Sequence, residues 1–498
     1  MGILIARDLQ QVHEEVQAAT RPLHDELEEL ARNLLLQRLT PQNVWEFERA
    51  LQERLREAGR RVTEAVYNRL EPNVADEMPK QVACAGYGYS RKNGKTRNRQ
   101  GVATLFGRIE LSRYSYEPLR EARDDGQRSF SPLERALGLV VGNATPALAE
   151  RVGRAAASHT QQELQDLLQR EHGVTWSVKT LRGVTAAVSE GVGAHLHQAQ
   201  KEQLLAWLRQ ADGSTGRRKI TLAVGRDGIM LPIRYEQSYK EGAVATLSVH
   251  DRRGRRLGTV YLGQMPEPHQ STLSTQLTRL LSEVLAEWDG CWPRLAYITD
   301  AGHHPSEYFD GVLSRMQHPR HPGRLLEWVR IVDYYHACQY IARLAELLFP
   351  NPREAHAWQR RMRHWLQHKP NAVFRILHSA AKLRSDRPLR GKAARDCQKA
   401  YNYLLNQKAF MDYREYRRLG LPIGSGVTEA ACKTVFTQRF KESGMSWGTD
   451  GGQTILTLRT TTLSGVWEAA YRRYLTHRSL SEVTTQLNDS LHTCAKAA

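Results

Sequence analysis

Three acids stand where a divalent-cation site would need them. Asp227 follows the apolar run "TLAVGR", Asp300 follows "LAYIT", and Glu429 stands at a helix start just after the turn "IGSG". Acids at strand ends and helix starts can converge at one edge of a sheet. Phosphodiester cleavage needs charge neutralised on the attacking and leaving oxygens. Two Mg²⁺ ions roughly 4 Å apart do this when hard carboxylate oxygens hold them and leave positions open for water and phosphate. A helix N-terminus adds partial positive charge and keeps a glutamate there ionised. The reading requires the three carboxylates to meet within reach of one ion. Each acid also has a plainer explanation. Asp227 with Gly228 is a hairpin-turn dipeptide, Asp300 is a helix-capping residue before "AGHHPSEYF", and Glu429 is a favourable first-turn acid.

Cations crowd the third acid. Lys433 lies four residues after Glu429, on the same helical face, where it either pairs with that glutamate or grips a phosphate. Arg439 and Lys441 follow and would track a phosphate backbone. Trp447, in "SGMSWG", either stacks on an unpaired base or packs after the helix.

The elements that must position these residues are legible from periodicity. Residues 1–79 are dense in Leu, Glu, Arg and Gln with apolar spacing of three and four, which predicts at least two helices, with Thr40 capping and Pro41 in a first turn. This region packs on the rest of the chain or serves dimerisation. Residues 80–131 alternate around Gly107 and read as a small β unit. Its basic approach loop carries Arg91, Lys92, Lys95, Arg97 and Arg99, cations that either grip phosphates or are simply solvated. Residues 132–200 return to helix. A helix from Thr160, a break at Gly173 and a second helix near Ser177 match a helix-turn-helix, placing Lys179, Thr180 and Arg182 where base edges are read; any two packed helices give the same pattern. From 219 strands and helices alternate, "KITLAVGRDGIMLPIRYE" giving two strands about the Asp-Gly pair. Residues 342–415 show almost no strand signal.

With 71 Lys and Arg against 53 Asp and Glu, the net charge is +18 and the pI about 9.7, a balance that favours a polyanionic partner. No apolar run approaches membrane-spanning length and the first residues, MGILIARDLQ, lack a leader's pattern, so a soluble, cytoplasmic protein is expected. The six cysteines are scattered, with no C-x-x-C pair for zinc and no disulfide spacing.

Taken together, "RDGIMLPI", "YITDAGHH", "VDYYHACQYI", "LPIGSGVTEAACKTVFTQRFKESGMSWG" and "LRTTTLSGVWEAAYRRY" resemble bacterial insertion-sequence transposases of the DDE class, in particular the ISKra-type group. The resemblance covers roughly residues 80–475 and is most specific from 421 to 475. It implies a ribonuclease-H-like catalytic core over 201–341 and 416–475, an α-helical insertion at 342–415, and a C-terminal tail at 476–498. Asp227, Asp300 and Glu429 would be the metal-binding triad, holding two Mg²⁺ ions or Mn²⁺ in their place. Asp333–His336 looks like the D/C-x-x-H signature shared with Mutator-like transposases, in which His336 contacts the scissile phosphate or steadies the acids; a packing histidine is the plainer reading. The implied activity is a DNA transposase that cleaves the ends of its element and joins the 3′ hydroxyls to target DNA. The implied partners are double-stranded DNA, as terminal inverted repeats and target, and a second copy in a homodimer, working at the nucleoid. Relatives of this group carry paired cysteines near the β unit. Here only Cys84 stands there, which argues against zinc. A metal-dependent nuclease without strand transfer and a transposase-derived DNA-binding regulator are the alternatives.

Overall fold

The computed structural model describes residues 9–84, 87–119, 129–236 and 238–479. The chain divides into two compact units, Met1–Val192 with Tyr471–Ala498, and Gly193–Ala470. The side chain of Cys84 and the tail from 480 onward lie outside the described residues.

In the first unit, helices α1 (Leu9–Leu36) and α2 (Pro41–Asn68) pack side by side. Thr40 caps α2 by accepting from the Asn43 amide at 3.2 Å, and Pro41 fills the first helical position, where its missing N–H costs nothing. Glu26 of α1 pairs with Arg54 at 3.5 Å and Arg61 at 3.8 Å of α2. Seven short strands follow: β1 (Gln81–Cys84), β2 (Tyr87–Arg91), β3 (Thr96–Arg97), β4 (Val102–Thr104), β5 (Gly107–Ile109), β6 (Ser112–Arg113) and β7 (Tyr116–Pro118). They pair as β1-β2-β7, β3-β6 and β4-β5. The loop cations are largely committed within the protein. Lys92 pairs with Glu117 at 2.8 Å and Arg97 with Glu110 at 3.1 Å. Lys95 donates to the Glu71 carbonyl at 2.9 Å and Arg91 to that of Ala75.

Helices α3 (Pro132–Ala136), α4 (Pro146–Ala156) and α5 (Gln161–His172) complete the expected helical region. A reciprocal capping box between Thr160 and Glu163 starts α5, and left-handed Gly173 ends it. The next helix, α6 (Val178–Asp212), is 35 residues long and contributes to both units, so the expected boundary at residue 200 falls inside a continuous helix.

The second unit is a mixed α/β fold. Its five strands are β8 (Thr221–Leu231), β9 (Lys240–His250), β10 (Arg256–Gln264), β11 (Arg294–Thr299) and β12 (Trp328–Val332), in the order β10-β9-β8-β11-β12. β8, β9 and β10 form an antiparallel meander; β11 lies parallel to both β8 and β12. One face buries Leu222, Val224, Leu247 and Val260 against Leu204 and Leu208 of α6 and Leu273, Leu277 and Leu280 of α7 (Ser271–Glu287). The other buries Ala223, Ala296, Ile298 and Ile331 against α9 (Tyr334–Leu348). Between β11 and β12 lies α8 (His303–Gly311).

Contrary to the two-strand expectation, β8 runs unbroken through the Asp-Gly pair. Asp227 faces Val244 and Gly228 faces Ala243 in the β9 register, so neither residue turns the chain. Turn propensity is local. Here it is overridden by eleven paired positions on β9 and by the burial of Leu231, and a buried leucine is worth roughly 1.5–3 kcal/mol.

After α9 the insertion is entirely helical as expected, with α10 (Pro352–His368), α11 (Ala372–Asp386), α12 (Gly391–Gln407) and α13 (Tyr413–Leu419). Trp358, Met362, Ile376, Leu377 and Leu404 share the core of α9, which itself crosses the expected boundary at 341. The chain then returns through α14 (Gly426–Ala431), a π-helical turn at Cys432–Thr437, α15 (Gln438–Phe440) and α16 (Thr449–Leu463), and α17 (Trp467–Ser479) is the last described element.

Candidate metal and phosphoryl-transfer site

Strand register brings the first two acids together. Ile298 pairs with Gly225 in the last rung of the parallel β8-β11 ladder, two residues short of both acids, and the charge of Asp300 is felt at Asp227. Asp227 shares the sheet face of Ala223 and Gly225, since side chains alternate along a strand. Asp300 leaves β11 in a tight turn: its Oδ1 accepts from the Gly302 amide at 2.8 Å, and Ala301 adopts the left-handed region at φ 64°. A non-glycine residue held there marks a loop over-determined by its surroundings.

The third acid arrives on α14. Thr428 Oγ1 bonds Thr246 Oγ1 of β9 at 2.8 Å, and Thr246 is the register partner of Gly225. A Cβ on Gly225 would overlap Thr428 Oγ1, so only glycine lets this helix settle on the sheet. Glu429 itself is exposed, and its Oε1 accepts from Ser425 Oγ at 3.3 Å.

The charges of Asp300 and Glu429 are felt at Asp227. Burial pushes the Asp227 carboxyl up to about 6, and the negative charges of Asp300 and Glu429 push in the same direction, against the lowering effect of the Cys432 thiol and the Gly228 amide. The Cys432 Sγ–H donates to Asp227 Oδ2 at 3.2 Å. Burial and then Asp227 raise that thiol's own pKa, which keeps it a hydrogen-bond donor. Among the described residues no ion pair joins Asp227, Asp300 or Glu429 to a cation. The nearest buried cation on β8, Arg226, points to the opposite face, where it bonds Ser274 at 3.0 Å and Gln270 at 2.9 Å. The donor set is therefore hard, anionic and uncompensated, which is what a divalent cation requires. It is also wider than expected. The three carboxylates do not form a cluster with all ligand atoms within 4.8 Å of one another, and Glu429 Oε1 is engaged by Ser425 Oγ.

Asp333 is the residue that organises the site, and sequence reasoning treated it only as the start of a motif. It is fully buried. Its amide donates to Thr299 O at the end of β11 at 2.8 Å, its Oδ1 caps α9 by accepting from the His336 amide at 2.6 Å, and its Oδ2 accepts from the Ser425 amide in the Gly-Ser-Gly turn. One residue, through its amide and its carboxylate, thus ties together the segments carrying Asp300, His336 and Glu429. Asp412 and Asn351 act as N-caps elsewhere, so a capping Asp before a helix was readable; its second role depends on the tertiary fold.

His336 is half-buried, edge-on to Tyr340 at 5.3 Å and Tyr403 at 5.7 Å, and the Tyr403 hydroxyl donates to the Asp300 carbonyl at 2.8 Å. The histidine therefore belongs to an aromatic wall beside Asp300, which fits a steadying role.

Several predicted DNA contacts need correction. Arg439 is only 3% exposed, with its guanidinium 5.0 Å over the Trp447 ring, so it supports the helix rather than tracking a phosphate backbone. Trp447 donates to Phe440 O at 3.2 Å and packs on the Phe440 ring at 4.7 Å, so its faces are engaged and base stacking is not open to it. Lys433 and Lys441 are exposed, and the π-helical turn beginning at Cys432 shifts Lys433 off the ideal i,i+4 face; no ion pair with Glu429 forms. In the first unit Lys179 is exposed. Thr180 is occupied in the helix cap, its amide donating to Ser177 Oγ at 3.1 Å, and Arg182 reaches Gln161 of α5 at 3.1 Å.

No protein-family model matches the chain. Among curated proteins the chain is similar to a "UPF0236 protein in vanSb 3′region" of Streptococcus gallolyticus, 24% identical over 393 residues, covering 76% of this chain and 76% of that protein. The name of that relative assigns no activity.

Proposed function

We propose that the chain is a DDE-class DNA transposase whose second unit is a ribonuclease-H-like catalytic core. The observation that carries the reading is the convergence of three acids: Asp227 and Asp300 just beyond the last rung of the β8-β11 ladder, and Glu429 on a helix docked through Thr428, with the charges of Asp300 and Glu429 felt at Asp227. The strand order, a three-stranded antiparallel meander extended by two parallel strands, supports the same fold.

Asp227, Asp300 and Glu429 would hold Mg²⁺, with Mn²⁺ as substitute. Carboxylate oxygens are the hard donors that such ions prefer. When bound, such ions activate the attacking oxygen and stabilise the leaving one in an in-line displacement at phosphorus. The chain's own residues supply the rest. Asp333 fixes the segments that carry Asp300 and Glu429 relative to each other, the Cys432 thiol orients Asp227 Oδ2, and the Tyr403 hydroxyl holds the Asp300 carbonyl. Lys433, four residues after Glu429, and Lys441 further along the chain offer exposed charge. A cavity of about 580 Å³ lined by Arg218, Arg414, Arg417 and Arg418 adds positive surface near the start of β8, while Asp227 lies toward that strand's other end. This charge and the net +18 favour double-stranded DNA as partner.

A homodimer processing two element ends at the nucleoid follows from the same reading. Among the described residues no helix is long and apolar enough to cross a membrane. The test is an assay with pre-nicked element ends, target DNA and Mg²⁺. Joined products support the proposal. Cut but unjoined DNA indicates a nuclease, and bound but unaltered DNA a regulator; either outcome overturns it.

A further inference from the structure

A second cluster of metal-ligating side chains lies just beyond the acidic trio. We propose that His303, His304 and Glu307 form a binding site for a transition metal ion of the zinc class, distinct from the carboxylate site, with Glu241 as the residue that orients His304.

Among the described residues these three side chains form the group whose ligand atoms all fall within 4.8 Å of one another. Glu307 lies between the imidazoles, its Oε1 3.2 Å from His303 Nε2 and its Oε2 3.5 Å from His304 Nδ1. Ligands held at roughly 2.0–2.1 Å from a tetrahedral zinc are separated by roughly 3.3 Å, close to both separations from Glu307 to the two imidazoles. Two imidazoles and a carboxylate suit Zn²⁺, Co²⁺ or Ni²⁺ better than Mg²⁺.

The second nitrogen of His304 has its own partner. Nε2 faces Glu241 Oε2 of β9 at 3.8 Å, and a metal-bound imidazole characteristically donates its other N–H to a carboxylate, which fixes the tautomer. A shift of less than about 1 Å makes this a hydrogen bond. Glu241 itself packs over Gly228, next to Asp227: a Cβ on that glycine would overlap Glu241 Oε1. A bound metal would thus clamp the start of α8 to β9 and brace the left-handed turn at Ala301 that presents Asp300. The start of α8 carries partial positive charge that opposes a cation, and the Glu307 and Glu241 carboxylates offset it. His303 is 77% and Glu307 59% exposed at the side chain, so an ion enters from solvent without rearrangement of the core.

The full-length chain, stripped with EDTA and dialysed, is titrated with Zn²⁺, and Co²⁺ absorption reports tetrahedral coordination. With millimolar Mg²⁺ present to occupy the carboxylate trio, the expected result is one equivalent of Zn²⁺ bound by the wild type and equally by Asp227→Asn. Binding should be at least about tenfold weaker in His304→Ala and Glu307→Gln, and roughly tenfold weaker in Glu241→Gln. Unchanged Zn²⁺ affinity in His304→Ala and Glu307→Gln would overturn the proposal, as would loss of binding in Asp227→Asn. Because the readout is metal binding, this outcome is independent of whether DNA is joined.

Discussion

Asp227→Asn should stabilise the metal-free protein while disabling it. The folded-state carboxyl is raised from 3.8 to about 6, chiefly by burial. A group raised on folding contributes stability that is fully present below its unfolded pKa and lost as pH rises through its folded one. The charged carboxylate of Asp227 therefore weighs against the fold above about pH 6, and asparagine removes that penalty while keeping an acceptor for the Gly228 amide. The difference between 3.8 and about 6 converts to at most about 3 kcal/mol. At roughly 2–4 °C per kcal/mol for domains of 150–250 residues, the variant should melt several degrees above wild type in EDTA at about pH 8. The gain should vanish near pH 4, where both chains carry a neutral group. Millimolar Mg²⁺ should then narrow the gap by stabilising only the wild type. A variant melting at or below wild type at the higher pH, or a gain that is the same at both pH values, would refute the electrostatic account of the cluster.

The remaining predictions concern the neighbours. Glu429→Gln, at an exposed position, should abolish strand joining while changing stability by no more than about 0.5 kcal/mol in a denaturant melt. Arg439→Ala should cost roughly 1–3 kcal/mol of stability by leaving a buried gap, whereas Lys441→Ala should leave the melt unchanged and reduce the salt dependence of DNA binding by about one counterion. Gly225→Ala should lower joining far more than DNA affinity, because an added methyl displaces α14 and the acid it carries; equal losses in both assays would contradict that.

Much of this architecture was written in periodicity. The helical hairpin with its Thr40-Pro41 start, β9, β10 and the all-helical insertion follow from local pattern, as do the positions of Asp300 directly after a strand and Glu429 in a first helical turn. What stayed hidden depends on contacts distant in sequence. The Asp227-Gly228 pair looks like a turn until β9 is laid beside it. Arg439 and Trp447 look like surface contacts until they fold onto each other and onto Phe440. Asp333 and Cys432 acquire their roles only from residues 92 and 205 positions away, Ser425 and Asp227. Cys432 lies one turn after Glu429 on the same helix, a spacing that could have directed attention to it.

The central claim is that Asp227, Asp300 and Glu429 hold divalent cations together. Crystals soaked in Mn²⁺ and measured for anomalous scattering test it most directly. The account predicts Mn²⁺ peaks between Asp227 and Asp300 with Glu429 drawn in from Ser425 to complete the site, and their loss in Asp227→Asn. Well-ordered crystals with no peak at these carboxylates, or with manganese only at His303, His304 and Glu307, would contradict it.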